Sequence, residues 1–495
     1  MRPSSAGLPL ALFLAAACSK HATLPAVDEA NLPDIVLVSI DSLRPDHLSC
    51  YGYGQPTSPN LDAIAGQGLR CEVALSTTSW TLPAHAALFT GLFDSTHGLV
   101  TNGLSLSPRQ RTLAGSLARR GYRTAGFFGG PYLHPAFGLD QGFQTWESCM
   151  SRATEASIAD GKLGGAAAHE DVSGPRTVEA IGRFLAAEKR DARPLFLFVH
   201  LFDVHYDYVP PPELARMFDP GYTGRTDFSH VDRNPAISKD MSPEDRRHLV
   251  ALYDAEIRFT DANLARILEL VARRRTDREQ LLVILSDHGE EFFEHGNKGH
   301  QSSLYEELVR VPMIWRWPGH LKPDTLVRDP VRLVDVMPTL LAAAGVQDPP
   351  PMQGRDLLPL FSGAPQRSEP AVLELLVDKN DVRGVRYPES KILSWRGQYH
   401  STFGFHLIRD RTENRPFGLD QDWVVKGRKE LDKLLEANVE LRHELGAEPE
   451  PMVLPPALDA RLHQFGYTGR DKAPQEPPHS QPQTTPPPQP QTPPR

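Results

Sequence analysis

The chain has 495 residues, of which 40% are hydrophobic and 23% charged, and its formal net charge is −9. These fractions are typical of a folded globular protein and exclude disorder as a description of the whole chain. No long block of Lys and Arg interrupts the negative balance, so the sequence gives no support to nucleic-acid binding.

The N-terminus predicts an export signal. The sequence MRPSSAGLPLALFLAAACSK has one Arg, an apolar run from Leu8 to Ala17, and then Cys18. Such a run is too short to cross a membrane and is typical of a secretory signal peptide. Small residues directly before a Cys resemble a bacterial lipobox, so we expect residues 1–18 to be a lipoprotein-type signal and Cys18 to carry a lipid anchor. An ordinary cleaved signal is the alternative.

This signal predicts where the protein is found. We expect an exported lipoprotein of the cell envelope, on the periplasmic or outer-membrane side, attached through Cys18 and joined by a linker over 19–32 to the folded part. The other cysteines are widely spaced and odd in number, so they offer neither a disulfide framework nor a paired metal site.

Four nearly continuous apolar runs predict buried strands. They are DIVLVSI (34–40), PLFLFVH (194–200), LLVILS (281–286) and VPMIWRW (311–317). Runs of this kind fit strands covered on both faces, as in a mainly parallel sheet. Helices are predicted over 58–68, which starts with Ser58 and Pro59, and over 253–275, which has an apolar stripe. The fold class is therefore α/β, with a large mainly parallel sheet flanked by helices.

The remaining stretches predict smaller units around a main domain at 33–345. Residues 210–247 are rich in Pro, Gly and Asp and predict a surface excursion. After about residue 350 the strand-like runs become shorter and more polar, which favours a smaller C-terminal α+β subdomain over 346–445. Residues 446–495 predict an extended tail that is Pro-rich and disordered from 474.

Polar residues follow three of the predicted strands at the point where each strand ends. They are Asp41 and Ser42, Asp203 and His205, and Asp287 and His288. The carboxyl ends of strands in open α/β sheets form the ligand crevice. An Asp after a strand is often only the N-cap of the next helix, but three such strand ends together favour a site for a divalent cation.

Several motifs, in this order along the chain, resemble the sulfatase family of the alkaline phosphatase superfamily. They are VSIDSLRPDHLSCYGY, TSPNLDAIAGQGL, TLPAHAALFTG, GYRTAGFFGG, FVHLFDVHYDYVPP, and SDHGEEFFEHGNKGH followed by LVRVPMI. Together they cover residues 33 to 345, and FHLIRDRTENRPF extends the resemblance to about residue 415. The resemblance implies the fold of that family and a hydrolase acting on sulfate or phosphate esters of small molecules, glycans or lipids.

The resemblance also implies a metal site. Asp41, Asp287 and His288 correspond to family residues that bind a divalent cation, usually calcium in sulfatases. The family often has a second Asp where this chain has Ser42. A hydroxyl ligand adds no charge, so magnesium, manganese and zinc are candidates as well, and His288 favours the transition metals.

A second group of residues resembles the zinc ligands of two-metal members of the superfamily. This group is Asp203, His205 and His300. It predicts either a second metal site or, beside a single metal ion, proton transfer and hydrogen bonding by His205 and His300.

The catalytic cassette of the family is altered in this chain. In the family it reads Cys or Ser, any residue, Pro, any residue, Arg, and its first residue is oxidised to formylglycine. Here it reads TLPAH, from Thr81 to His85. Oxidation of Thr81 would give a ketone, and no cysteine begins another cassette, so we expect no formylglycine. A threonine sulfate lacks the exit that a formylglycine hydrate provides, whereas water can hydrolyse a phosphothreonine.

Thr81 is therefore the candidate nucleophile. The following residues predict a helix that ends near Gly91, which places Thr81 at the helix N-terminus, where an anion is favoured. His85, in the place of the family's Arg, is the candidate proton acceptor for Thr81 or a contact for the bound anion. The alternative is that Thr81 only caps the helix and His85 packs against Trp80.

Three functions fit these features. The first is an exported, metal-dependent ester hydrolase with Thr81 as nucleophile. The second is a non-catalytic sulfatase-like binding protein. It is favoured by the number of positions at which this chain differs from the family's usual active-site residues, which are Ser42, Thr81, His85, Gly130 and Tyr132. The third is a transferase of phospho head groups in the cell envelope, a class that usually has a multi-span membrane anchor of which the sequence shows no sign.

Overall fold

The computed structural model describes residues 32–151, 172–187, 191–231, 234–274, 278–364, 366–377, 380–397 and 400–464. The predicted signal at 1–18 with Cys18, nearly all of the predicted linker, and the Pro-rich tail from 474 lie outside these residues. Within these ranges, no helix has both the length and the apolar character needed to cross a membrane.

The strands of the described residues belong to one large sheet and several small ones. They are β1 Asp34–Ile40, β2 Leu69–Cys71, β3 Ala74–Leu75, β4 Leu104–Ser105, β5 Arg123–Phe128, β6 Thr145–Ser148, β7 Leu195–Leu201, β8 Gln280–Leu285, β9 Glu291–Phe292, β10 Lys298–Gly299, β11 Arg310–Val311, β12 Met313–Arg316, β13 Thr325–Val327, β14 Val331–Arg332, β15 Ala371–Val377, β16 Asn380–Arg386, β17 Ser390–Trp395, β18 Ser401–His406 and β19 Glu450–Pro451.

Helices cover both faces of the large sheet and one face of the C-terminal sheet. They are α1 Pro59–Gln67, α2 Thr81–Thr90, α3 Asp94–His97, α4 Leu113–Arg119, α5 Gly174–Ala187, α6 Pro212–Phe218, α7 Pro243–Ala272, α8 Glu306–Val309, α9 Val336–Ala343, α10 Leu358–Phe361, α11 Asp422–Leu445 and α12 Pro456–Gln464.

The large sheet has the strand order β13-β2-β12-β8-β1-β7-β5-β6. Strands β8, β1, β7, β5 and β6 are parallel, and β12 runs antiparallel to both β8 and β2. Alternate side chains of β1 enter two different apolar clusters, Ile35 and Leu37 on one face and Val36 and Val38 on the other. Burial on both faces explains the continuous apolar run. The predicted α/β class with a mainly parallel sheet is confirmed.

The C-terminal subdomain is an antiparallel sheet, β15-β16-β17-β18, packed against α11. Its core joins sheet and helix, with Val385 and Ile392 from the strands and Val424 and Leu431 from α11 in one buried cluster. Gly427 allows this close packing, because a Cβ there would lie 2.6 Å from Ile392 Cγ1. The predicted α+β architecture of the smaller C-terminal subdomain is confirmed.

Two local predictions need correction. The long helix α7 begins at Pro243 rather than at 253, because Ser242 caps it by accepting a hydrogen bond from Asp245 N–H at 3.0 Å. The predicted excursion at 210–247 therefore includes the start of α7 and all of α6.

The predicted extended tail also contains regular structure before residue 465. Strand β19 pairs with β4, and α12 follows it. Leu458 and Leu462, four positions apart on α12, are buried at 2% and 0% exposure. Their burial explains why this segment is helical rather than extended, because it supplies the tertiary packing that a short helix needs.

Candidate active site

Two neighbouring parallel strands bring two carboxylates together. Strand β1 ends just before Asp41, and its neighbour β8 ends two residues before Asp287, with Ser39 opposite Leu285 in the register. Both carboxylates are fully buried. The strand-end pattern therefore converges as expected for the crevice of an open α/β sheet.

His288 faces both carboxylates. Its Nε2 lies 3.6 Å from Asp41 Oδ1 and 3.5 Å from Asp287 Oδ2. Its Nδ1 lies 2.9 Å from Gly289 O, and since a carbonyl only accepts, Nδ1 carries the proton of the neutral ring. The lone pair of Nε2 is then directed at two anions. A divalent cation bound between these groups would remove the repulsion between the lone pair and the two carboxylates. The ligand atoms of the three side chains lie within 4.8 Å of one another.

Ser42 orients the two carboxylates. Its hydroxyl donates to Asp41 Oδ1 at 2.9 Å and its N–H donates to Asp287 Oδ1 at 3.3 Å. Its backbone is left-handed, with φ of 58°, and Tyr253 OH holds its carbonyl at 2.8 Å. These contacts give the residue an orienting role, and its predicted role as a direct metal ligand stays a prediction.

Thr81 is the first residue of α2, and its hydroxyl faces the carboxylates. Thr81 Oγ1 lies 3.1 Å from His288 Nε2 and 3.5 Å from Asp41 Oδ2. Helix α2 ends at Gly91, whose φ of 68° is the left-handed conformation expected at a helix end. The hydroxyl therefore combines a helix N-terminus with a centre suited to a cation.

His85 lies beneath Thr81 without touching its hydroxyl. Its Nδ1 lies 2.8 Å from Thr81 O, and its Nε2 lies 3.0 Å from Ser39 Oγ. The reason is helical geometry, because the carbonyl of a residue points toward the residue four positions on. Burial, and next the charge of nearby His200, lower the pKa of His85 to about 3. The expected contact with the Thr81 hydroxyl is not formed, and His85 packs against Phe198 rather than Trp80.

His205 and His300 lie beside His288. The rings of His205 and His300 are 4.8 Å apart, and the ring of His300 is 4.4 Å from that of His288. Glu290 Oε1 lies 3.1 Å from His300 Nδ1 and fixes the ring. Burial lowers the pKa of His205 to about 4, so this ring is neutral at pH 7. Their roles in proton transfer stay predictions.

Asp203 does not join this group. Its Oδ1 accepts from the N–H of Ser173 at 2.6 Å and from its hydroxyl at 3.0 Å, and its Oδ2 accepts from Gly174 N–H at 2.6 Å. Asp203 therefore caps the start of α5, where free N–H groups attract a carboxylate. Of the second metal site predicted from Asp203, His205 and His300, the assignment of Asp203 is therefore wrong.

His200 is a site residue that the sequence interpretation missed. Its Nε2 lies 3.3 Å from Asp41 Oδ2, its Nδ1 lies 2.8 Å from Gly129 O, and its ring meets that of His85 edge-on at 5.0 Å. A usable signal was present, because His200 and Ser39 interrupt two apolar runs and are opposite each other in the β1–β7 register.

The two carboxylates differ in acidity. Burial alone would raise the pKa of Asp41, but the imidazoles of His200, His205 and His288 lower it well below its usual range. Burial, and next the negative charge of Asp41, raise the pKa of Asp287. The negative charge of Asp41 therefore disfavours ionisation of Asp287 unless a cation lies close to both carboxylates.

Comparison with known proteins identifies the family of this chain. A family model described as Sulfatase matches residues 33–346. Steryl-sulfatase of Mus musculus is 26% identical over 450 aligned positions, covering 70% of this chain and 67% of that protein. Arylsulfatase A of Homo sapiens is 26% identical over 431 positions, covering 77% of this chain and 76% of that protein.

Solved structures share the fold. The phosphonate monoester hydrolase of Agrobacterium radiobacter superposes with a TM-score of 0.67 at 20% identity, covering 85% of this chain and 100% of that structure. A structure bound to its substrate D-glucosamine-2-N,6-O-disulfate gives a TM-score of 0.62 at 20% identity, covering 83% and 98% of the two chains.

Proposed function

Since the chain belongs to the sulfatase family of ester-bond hydrolases, we propose that it is a metal-dependent hydrolase of phosphate or sulfate esters that uses Thr81 as its nucleophile. Phosphate monoesters and diesters, with phosphonate esters, are the better substrates. The single observation that supports this most is the position of Thr81 Oγ1, 3.1 Å from His288 Nε2 at the start of α2.

The chemistry of threonine favours phosphorus over sulfur. In the first step Thr81 Oγ forms a bond to phosphorus, the ester O–P bond breaks, and the alcohol leaves with a proton. In the second step water forms a new O–P bond, and the bond to Thr81 Oγ breaks, which regenerates the hydroxyl. A sulfated threonine would have to be attacked by water at sulfur, because it has no neighbouring hydroxyl whose collapse could expel sulfate.

Asp41, Asp287 and His288 would hold the cation. When bound, a divalent cation lowers the pKa of a neighbouring hydroxyl and attracts an ester oxygen. The positive end of α2 acts in the same direction, since the free N–H groups of a helix start stabilise an anion.

His205 and His300 are the proposed proton carriers for the leaving group. The ring of His300 lies next to that of His288, and the ring of His205 lies next to that of His300. The pKa of His205 is lowered to about 4 by burial, but an arriving anionic ester would raise it and favour the protonated ring. Burial raises the pKa of Glu290 well above its usual range, and its contact with His300 Nδ1 would fix the orientation of that ring.

Export and lipid attachment are part of the proposal. Their support is the sequence of residues 1–18 with its apolar run and Cys18. Expression with the native N-terminus, followed by cell fractionation and mass spectrometry of the N-terminal peptide, tests the anchor. Cys18→Ser should release the protein from the membrane fraction.

A substrate panel tests the catalytic proposal. The purified protein is assayed with an aryl sulfate, a bis-aryl phosphate, an aryl phosphate and an aryl phosphonate monoester, each with calcium, magnesium, manganese or zinc. Thr81→Ala is assayed beside Thr90→Ala, a matched control on the same buried helix, whose hydroxyl donates to Ala86 O and accepts from Leu92 N–H. We expect phosphate or phosphonate turnover that Thr81→Ala abolishes and Thr90→Ala retains.

Three results contradict the proposal in different ways. Full activity of Thr81→Ala rules out the nucleophile. No turnover of any ester, together with tight metal binding, favours a binding protein. Transfer of a phospho head group to an acceptor lipid, without transfer to water, favours the transferase.

A further inference from the structure

Two sets of metal-ligating side chains overlap at the centre. Asp41, Asp287 and His288 form one set, and His85, His200 and Asp287 form the other, each with ligand atoms within 4.8 Å of one another. All five side chains are fully buried. Asp287 belongs to both sets, so the second set adjoins the cation position described above.

Two buried atoms of this region have no hydrogen-bond partner among the described residues. They are His200 Nε2 and Asp287 Oδ2. His200 Nδ1 donates to Gly129 O, and its Nε2 faces Asp41 Oδ2 at 3.3 Å, where a bound cation would take the place of a proton on Nε2. Asp287 Oδ2 lies 3.7 Å from His85 Nδ1. A buried carboxylate oxygen without a partner, such as Asp287 Oδ2, is costly unless a cation or a proton lies beside it.

The charge balance also calls for a second cation. The contacts of Thr81, Asp41 and Asp287 within the described ranges involve His, Ser and backbone groups, with no Lys or Arg. One dication would only neutralise the two carboxylates. The negative charge of an incoming ester would then remain uncompensated, whereas two dications would leave a positive centre that attracts it.

We propose that His85, His200 and Asp287 form a second cation position, so that the centre binds two divalent transition-metal ions with Asp287 between them. This inference rests on the proposed function for the first cation position. Two imidazoles and a carboxylate suit zinc or manganese better than calcium, which prefers oxygen ligands. Paired ions of this kind, about 3.5–4 Å apart, stabilise both the attacking and the leaving oxygen of an in-line displacement.

The present contacts of the two histidines allow this role. His200 already uses Nδ1 as a donor, which leaves Nε2 as the ligand atom and fixes the ring. His85 Nε2 meets the hydroxyl of Ser39, which can rotate and exchange this contact for a cation. The hydrogen bond of His85 Nδ1 to Thr81 O would then orient the ligand ring.

Metal stoichiometry and electron paramagnetic resonance test the second position. The full-length protein is stripped of metal, titrated with Mn²⁺ or Zn²⁺, and its bound metal is measured after gel filtration. We expect two equivalents per chain, and for Mn²⁺ an exchange-coupled spectrum of two neighbouring ions. His200→Gln and His85→Gln should weaken the second equivalent by about 100-fold or more and retain the first.

A matched control removes another buried imidazole that is paired with an Asp. His47 Nδ1 lies 2.7 Å from Asp254 Oδ1, outside the centre, so His47→Gln should keep both equivalents and the coupled spectrum. If a variant at His85 or His200 fails to fold, the wild-type protein still tests the proposal, because a single equivalent per chain would overturn it.

One equivalent per chain with the spectrum of an isolated ion overturns the second position. Loss of both equivalents in His200→Gln, with its fold intact, also overturns it, because His200 would then support the first cation alone. Neither readout requires turnover, so failure of the hydrolase proposal is distinguishable from failure of this one.

Discussion

The hydroxyl of Thr81 lies 3.1 Å from Nε2 of His288, although the two residues are 207 positions apart in the chain. The contact joins the N-terminus of α2 to the carboxyl end of β8. Thr81, which aligns by motif with the formylglycine position of the family, thus lies beside the proposed cation site. It does so with a side chain that cannot be oxidised to formylglycine.

Thr81 should become phosphorylated during turnover. The covalent ester accumulates when its hydrolysis is slower than its formation, and acid quenching then preserves it. We expect mass spectrometry to find one phosphoryl group on the peptide that contains Thr81 after reaction with a fast aryl phosphate. Thr81→Ser keeps a hydroxyl and should retain measurable turnover, whereas Thr81→Ala should lose about three orders of magnitude or more in kcat/KM.

The position of the adduct is the decisive readout. Thr90 serves as the control, since it lies on the same helix and bonds to Ala86 O. Turnover without an adduct on residue 81, under conditions that trap a reference phosphoenzyme, would indicate direct attack by water on the ester.

Metal removal should lower both activity and thermal stability. A cation that binds only the folded state at 100 times its Kd stabilises the protein by about 2.7 kcal/mol. Chelation should therefore lower Tm, and manganese or zinc should restore it. The Tm of Asp287→Asn should change little when metal is added. Asp348 is an exposed partner of Arg111, so the Tm of Asp348→Asn should rise with metal as in the wild type. An unchanged Tm with chelator and metal would rule out a tightly bound ion.

The strand-end rule was enough to predict part of the site. Asp41, Asp287 and His288 follow strands whose apolar runs identify them, and adjacent parallel strands bring their ends together whatever the loops do. Thr81 was predictable at a helix start because Gly91 closes the helix. These features depend on local sequence and on a general rule of topology.

His200 and Asp203 show where sequence interpretation fails. A His inside an apolar run is compatible with an inert core position, and only the placement of β7 next to β1 brings His200 to Asp41. Asp203 was correctly expected at a strand end, but its carboxylate turns to the N–H groups of residues 173 and 174. Side-chain direction depends on such long-range partners, which local patterns do not contain.

Asp203 should matter for stability and not for metal binding. Asp203→Asn weakens three hydrogen bonds at the start of α5, so we expect a loss of about 1–3 kcal/mol in the free energy of unfolding. Its metal stoichiometry should equal that of the wild type, whereas Asp41→Asn should bind metal poorly. A metal deficit in Asp203→Asn, with its fold intact, would restore the original second-site hypothesis.

The segment after residue 446 should contribute to the folded domain. Leu462 is fully buried on α12, so Leu462→Ala should cost about 2–4 kcal/mol through lost burial and a cavity. Val453 is 94% exposed, so Val453→Ala should change stability by less than about 0.5 kcal/mol. Urea denaturation measures both, and equal midpoints for the two variants would mean that this segment behaves as the extended tail first expected.

The two buried histidines His205 and His85 should lower the stability of the metal-free protein as the pH drops below about 6.5. Burial lowers the pKa of His205 to about 4 and that of His85 to about 3, so both rings stay neutral in the folded protein where the unfolded chain takes up protons. Their contribution is fully present above pH 6.5 and is lost as the pH falls toward 4, on the order of 3 kcal/mol for His205.

Urea denaturation at a series of pH values, in chelator, measures this slope. His205→Gln and His85→Gln should each make the slope of stability against pH less positive between pH 6.5 and 4, because the replacement does not titrate. Burial raises the pKa of Asp287, Glu291 and Glu413, and these carboxyls act in the opposite direction in the same pH window, so the readout is the difference between the wild-type and variant slopes. A wild-type slope in both Gln variants would show that these rings are already protonated in the folded protein.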